Sequence, residues 1–206
     1  MLEIWGRTTS SNVQKVLWCC SELGIEYRRY DAGREFGVVD TEGYRKMNPN
    51  GLVPTIRDRD TVVWESNAIQ RYLATRFGDG SMYPADPAKR AIVDQWLDWE
   101  LGTLAPVIFP VFWGLIRTPE SKRDYGAINE AAKRLTAAFI ILNQQMSRSP
   151  YLTGDDLTLA DIAMGNSVHR WFAFNIERPK LLDLAGWYER IHSHRGFIDH
   201  VAKPVV

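Results

Sequence analysis

The stretch Met47-Asn48-Pro49-Asn50-Gly51-Leu52-Val53-Pro54-Thr55-Ile56, followed across Arg57-Asp58-Arg59-Asp60 by Thr61-Val62-Val63-Trp64-Glu65-Ser66-Asn67, decides how the chain is read. Val53-Pro54 stands directly before a strand-like run. An X-Pro bond is the one place where a cis peptide is cheap, and a proline at the start of a strand need not donate to the ladder. A cis Pro54 would hold the N–H and C=O of Val53 outward, where an extended peptide can pair with them as an added strand. Glu65-Ser66-Asn67 then falls between a β-type run (Thr61 to Trp64) and a helical one (Ala68 to Phe77). Such a junction is a helix N-terminus, with free N–H groups and partial positive charge. Those groups suit a carboxylate, and Glu65 suits an ammonium. Together the two halves fit a ligand with an α-amino acid head and a peptide-like middle. Each piece alone is ordinary, a turn and a helix start; their order and spacing carry the reading.

Working outward, Leu2 to Gly6 reads as a strand. Thr8 to Asn12 is a cluster of turn and capping residues, and Val13, Val16, Leu17, Cys20 and Leu23 recur at helical spacing before Gly24. Glu26 to Asp31 reads as a second strand, parallel to the first because a helix joins them. Ala32 to Asn50 is a loop with helical content around Gly43 to Met47. Val53 to Arg57 and Thr61 to Trp64 form an antiparallel hairpin. The order β-α-β-loop-β-β-α is that of a thioredoxin-like domain. Gly78-Asp79-Gly80-Ser81 and Pro84-Ala85-Asp86-Pro87 make the one clear linker. After it only helical patterns occur. One carries Ile92, Trp96 and Trp99, with Pro106 and Pro110 expected to kink or break it. The others centre on Leu135 to Met146, Leu159 to Asn166 and Leu184 to Ile191. The expected boundaries are 1–78 for the α/β domain, 79–88 for the linker and 89–206 for an all-α domain.

With 206 residues, 45% hydrophobic, the chain can build a substantial core. Lys+Arg and Asp+Glu are 25 each, and zero net charge argues against bulk binding of nucleic acid or an anionic membrane. No secretory signal is visible at the start, and no apolar run approaches transmembrane length; Leu104 to Ile116 is too short and holds two prolines. Cys19 and Cys20 are adjacent and cannot build a disulfide framework. The expectation is a cytoplasmic protein without nucleic-acid or membrane partners. His169, His192, His194 and His200 have no metal-ligand spacing, so no metal is expected.

Asn48-Pro49-Asn50-Gly51-Leu52-Val53-Pro54, Glu65-Ser66 and Leu157-Thr158-Leu159-Ala160-Asp161-Ile162-Ala163 resemble the cytosolic glutathione S-transferases over essentially the whole chain. Gly6-Arg7, Ser10-x-Asn12-Val13 and Gly33-Arg34-Glu35-Phe36-Gly37 resemble a bacterial branch of that family. The resemblance implies a two-domain, homodimeric enzyme that adds glutathione, its co-substrate, to a small hydrophobic electrophile. It assigns thiol activation to Ser10, with Asn12 assisting, although both are also ordinary capping residues. Glu65 and Ser66 would hold the γ-glutamyl group and Val53 the cysteinyl backbone. For the glycyl carboxylate Arg34, Arg45 and Lys46 are candidates, Arg34 foremost, with Asn50 able to help; several family classes place His or Lys where this chain has Gly51. Phe112, Trp113 and Arg117 would face the electrophile, although an aromatic stripe at this spacing also suits a core. Thr158 to Asp161 fits a capping box that starts a core helix. Rival readings on the same fold are a glutathione-dependent disulfide reductase, an isomerase or dehalogenase, and a non-catalytic binding module.

Overall fold

The computed structural model describes residues 1–206. β1 (Leu2–Trp5) buries Leu2 and Ile4 and leaves Glu3 and Trp5 half-buried, the period of a strand with one face on a core. α1 (Ser11–Glu22) crosses over to β2 (Tyr27–Tyr30), which pairs with β1 in parallel, Leu2 opposite Tyr27. β3 (Thr55–Asp58) runs antiparallel to β1, and β4 (Thr61–Trp64) antiparallel to β3, giving the sheet order β2-β1-β3-β4. α3 (Ser66–Phe77) returns to pack beside α1 and the sheet. This is the expected thioredoxin-like half. β3 begins at Thr55, opposite Trp5, rather than at Val53; the Val53-Pro54 peptide, which is cis, precedes the ladder. The long loop contains a turn of 3-10 helix at Arg34–Phe36 and α2 (Glu42–Met47), whose first turn is capped by the Thr41 hydroxyl.

α4 (Pro87–Trp99) starts with two matched signals: Asp86 accepts from the Lys89 N–H, and Pro87 needs no N–H at the first helical position. A π-helical turn (Glu100–Leu104) leads into α5 (Ala105–Phe112), and a second π turn follows at Trp113–Arg117. The expected break at Pro106 and Pro110 does not occur; one helix runs through Pro87–Arg117. The π turns move the hydrogen-bond register by one residue on either side of the prolines, with Ala105 N–H bonded to Glu100 C=O and Thr118 N–H to Trp113 C=O. The missing proline donors are thereby accommodated without a break. That continuity also corrects the reading of apolar length: by length and composition alone this helix could cross a membrane. Here it packs on α6 (Tyr125–Met146) and α7 (Leu159–Ala173).

α7 is the buried axis of the second half, with every residue from Leu159 to Val168 buried. At its start, Asp161 Oδ2 accepts from the Thr158 N–H at 2.9 Å, while Oδ1 accepts from Leu152 N–H at 2.8 Å and Trp187 Nε1 at 2.9 Å. α8 (Leu182–Ile191) and α9 (Arg195–His200) complete the bundle. Trp18 of α1 joins the halves. A Cβ at Gly165 of α7 or Gly196 of α9 would stand 2.4 or 2.5 Å from its ring, so only glycine permits this approach. One continuous core takes residues from both halves.

Candidate functional site

Between the halves lies a cleft of about 390 Å³. Its floor is the start of α1, one side is the Gly33–Arg34 turn with Val53, and the far wall is the α5 end from Phe109 to Arg117. Ser10 is the N-cap residue of α1, extended at φ −86° and ψ 122°, yet its side chain makes no capping hydrogen bond. Its hydroxyl is therefore not committed to the helix that it starts, and it lines the cleft beside Asn12. The first-turn N–H groups of α1 also have no acceptor within the helix. Asn12 Oδ1 accepts from Ser66 Oγ at 3.3 Å. That bond ties the starts of α1 and α3 together, so two helix N-termini converge on one place.

At the start of α3, Glu65 is held at φ +71°, a left-handed value for a residue with a side chain. Such a backbone costs on the order of 1–3 kcal/mol and persists where its surroundings over-determine it. Glu65 is exposed and Ser66 is buried. The next residue is anchored from below: Asn67 Nδ2 donates to Leu97 O at 3.0 Å and to Glu100 Oε2 at 3.3 Å. Glu100 in turn pairs with Lys15 Nζ at 2.8 Å, both side chains buried. Neither the N–H nor the C=O of Val53 is bonded within the chain. The loop before it is fixed by Asn48 Nδ2 and the Tyr44 hydroxyl, both donating to Leu52 O.

The three cations expected as candidates for a glycyl carboxylate separate clearly. Arg45 pairs with Asp40 at 2.8 Å and Lys46 with Glu42 at 2.8 Å. Arg34 has no ion pair and lines the cleft, on a turn where Gly33, Arg34, Gly37 and Val38 all have positive φ. Asn50 is exposed and does not line the cleft, whereas Gly51 does. On the α5 wall Phe112 is buried, Trp113 is 53% exposed, and the two rings meet edge to face. Arg117 lies beside them, its guanidinium 5.4 Å from the Phe112 centroid.

Two arginines to which the sequence assigns no site role also reach the cleft. Arg7 lines the cleft with its Nε buried and unpartnered. Arg170 of α7 reaches it from below, its guanidinium 4.2 Å over the Phe112 ring. Burial pushes the Arg170 guanidinium down to about 10, helped by repulsion from Arg117 and Arg34. Arg7 and Arg117 are likewise lowered, first by burial and then by neighbouring arginines. The one signal for Arg170 in the sequence is that it is the sole Lys or Arg of α7, a helix buried along most of its length.

Residues 9–76 match the family model of the glutathione S-transferase N-terminal domain, and residues 125–190 that of the glutathione S-transferase C-terminal domain. Glutathione S-transferase GstB of Escherichia coli (strain K12) is 37% identical over 193 residues, 93% of either chain.

The chain belongs to the glutathione S-transferase family.

Among solved structures of the family, the theta class glutathione S-transferase of Xanthomonas axonopodis pv. citri with glutathione bound is 41% identical. It superposes with a TM-score of 0.94 over 100% of this chain and 99% of that one. Bombyx mori glutathione transferase BmGSTD1 is 28% identical, with a TM-score of 0.86 over 98% and 93%.

Proposed function

We propose that this glutathione transferase activates the thiol of glutathione at Ser10, with Asn12 assisting, and conjugates it to a small electrophile held against Phe112, Trp113 and Arg117. The observation that carries the reading is the uncommitted Ser10 hydroxyl at a helix start, in a cleft shared with unpaired backbone at Val53. Glu65 takes the γ-glutamyl ammonium, while Ser66 and the first N–H groups of α3 take its carboxylate. Val53 pairs with the cysteinyl backbone as an added strand. Arg34, free of other partners, takes the glycyl carboxylate, and Asn50, exposed beside Gly51, helps with its amide. A free thiol has a pKa of about 8.5. Hydrogen bonds from a hydroxyl and from helix N–H groups stabilise the thiolate and lower that value. The thiolate sulfur then forms a bond to the electrophilic carbon, the leaving group departs with its electron pair, and the thiol proton passes to solvent. Cys19 and Cys20 are fully buried on α1 and so lie away from this chemistry.

In this reading residues 1–78 bind glutathione, 79–88 link, and 89–206 supply the electrophile wall. The working form is a homodimer, for which exposed Trp64, Ile92 and Leu101 supply apolar surface. Two free buried thiols suit the reducing cytoplasm.

Ser10→Ala tests the assignment. The expected outcome is a raised pKa of the bound glutathione thiol, read by thiolate absorbance. Conjugation of a chlorodinitrobenzene should slow roughly a hundredfold. Thermal stability should hold, because the side chain caps nothing. An unchanged thiol pKa in both Ser10→Ala and Asn12→Ala would overturn it.

A further inference from the structure

The far end of the cleft is more cationic than a pocket for neutral apolar electrophiles needs to be. Arg117 and Arg170 both place their guanidiniums over the Phe112 ring, at 5.4 and 4.2 Å from its centroid. Arg170 is only 9% exposed and has no hydrogen-bond acceptor and no carboxylate within ion-pair distance. Arg117 donates from Nη2 to Val206 O at 2.7 Å, but its Nε is buried without a partner, as is that of Arg7. Arg34 adds a fourth charge from the lip. The acids these arginines feel are Glu35 and Glu100. Glu35 makes no ion pair, and Glu100 is already held by Lys15. Of the four only Arg170 is buried; Arg7 and Arg117 are half-buried and Arg34 is exposed. A buried cation without a counter-charge is costly, and like charges gathered beside it repel it further. An anion placed among them reverses both effects, and guanidinium forks match a carboxylate in shape.

We infer that the second substrate carries an anionic group, a carboxylate for which Arg117 and Arg170 form the seat, with Arg7 adding to the field. This rests on the transferase reading above and narrows its electrophile. The carboxylate docks over Phe112, leaving the rest of the electrophile toward Ser10. The step itself is unchanged: the sulfur–carbon bond forms as the carbon–halogen bond breaks, halide takes the electron pair, and the thiol proton goes to solvent.

The test pairs 4-chloro-3,5-dinitrobenzoate with its neutral carboxamide at saturating glutathione, each rate divided by its uncatalysed rate. The corrected kcat/KM should favour the carboxylate by about tenfold or more. Arg117→Gln and Arg170→Gln should each collapse that ratio, and Arg170→Lys should restore part of it. Should Arg170→Gln fail to fold, Arg117→Gln carries the comparison. A ratio near one overturns the inference. So does a ratio that survives both variants while the KM for glutathione rises, since the arginines would then serve glutathione's own carboxylates. Binding of the two S-aryl conjugates, followed by tryptophan fluorescence, reads the same preference without turnover. Absence of turnover with both probes would count against the transferase reading alone; equal binding of the two conjugates would overturn this one.

Discussion

Cys19 and Cys20 sit side by side on α1, both without exposure. Burial pushes the Cys20 thiol up from about 9 to about 12, and Cys19 moves the same way for the same reason. The native protein should therefore resist thiol reagents at neutral pH and titrate two thiols once unfolded. The stability consequence has a definite sign. An acid whose pKa is raised in the folded state contributes stability that is whole below its unfolded pKa and lost as pH rises through the folded one. Stability should fall from about pH 9 towards pH 12, with Cys20 alone giving about 1.4 kcal/mol per pH unit in that window. A denaturant series across that range checks it, with Cys20→Ala flattening the slope. At this scale the sequence is informative where a residue sits at a junction between element types, as Ser10 and Glu65-Ser66 do. It is silent where tertiary packing decides. Only the Gly33 to Gly37 resemblance favours Arg34 over Arg45 and Lys46 in the sequence; the structure adds a physical reason, pairing the latter two with Asp40 and Glu42. Arg170 looks like any helical cation until Phe112 closes over it.

The start of α7 shows an element whose geometry is written in four residues. Thr158 and Asp161 have the spacing of a capping box, and the carboxylate does more than cap, since it also holds Leu152 N–H and Trp187 Nε1. Asp161→Ala would leave those buried donors unpaired. Each charge-assisted bond contributes about 1.5–3 kcal/mol, so a loss of about 3 kcal/mol or more is expected. In a chain of this size that lowers Tm by about 6–12 °C, and Asp161→Asn should fall part of the way. Calorimetry of the two variants decides this. The hairpin and this box are legible because their signals are local turn and capping chemistry. The helix over Pro87–Arg117 is not, because proline reads as a break wherever the ladder keeps α register. Only the whole helix shows that a π turn on either side moves the register past Pro106 and Pro110.

Across the whole molecule, Lys15 and Glu100 bind the two halves at their buried boundary, and Asn67 connects that pair to the start of α3, where glutathione is proposed to bind. Removing one partner leaves a buried charge uncompensated. Glu100→Ala should destabilise by about 3–5 kcal/mol, whereas replacing both residues by methionine should come close to neutral. Denaturant unfolding of the single and double variants tests this. The double variant should also raise the KM for glutathione without moving the thiol pKa, since it loosens Asn67 and leaves Ser10 alone. The two-domain plan is legible from the change of periodicity at the linker. The shared core is not, because close packing of Trp18 on Gly165 and Gly196 joins residues almost 150 and 180 positions apart. The strained backbone at Glu65 has a consequence over longer times. Glycine would fill a positive φ at lower free energy. Descendants of this chain released from any need for glutathione would gain stability by losing the glutamate. On the proposed role of Glu65 in holding glutathione, its presence works as a gauge of use, and among duplicated copies position 65 is where disuse should first register.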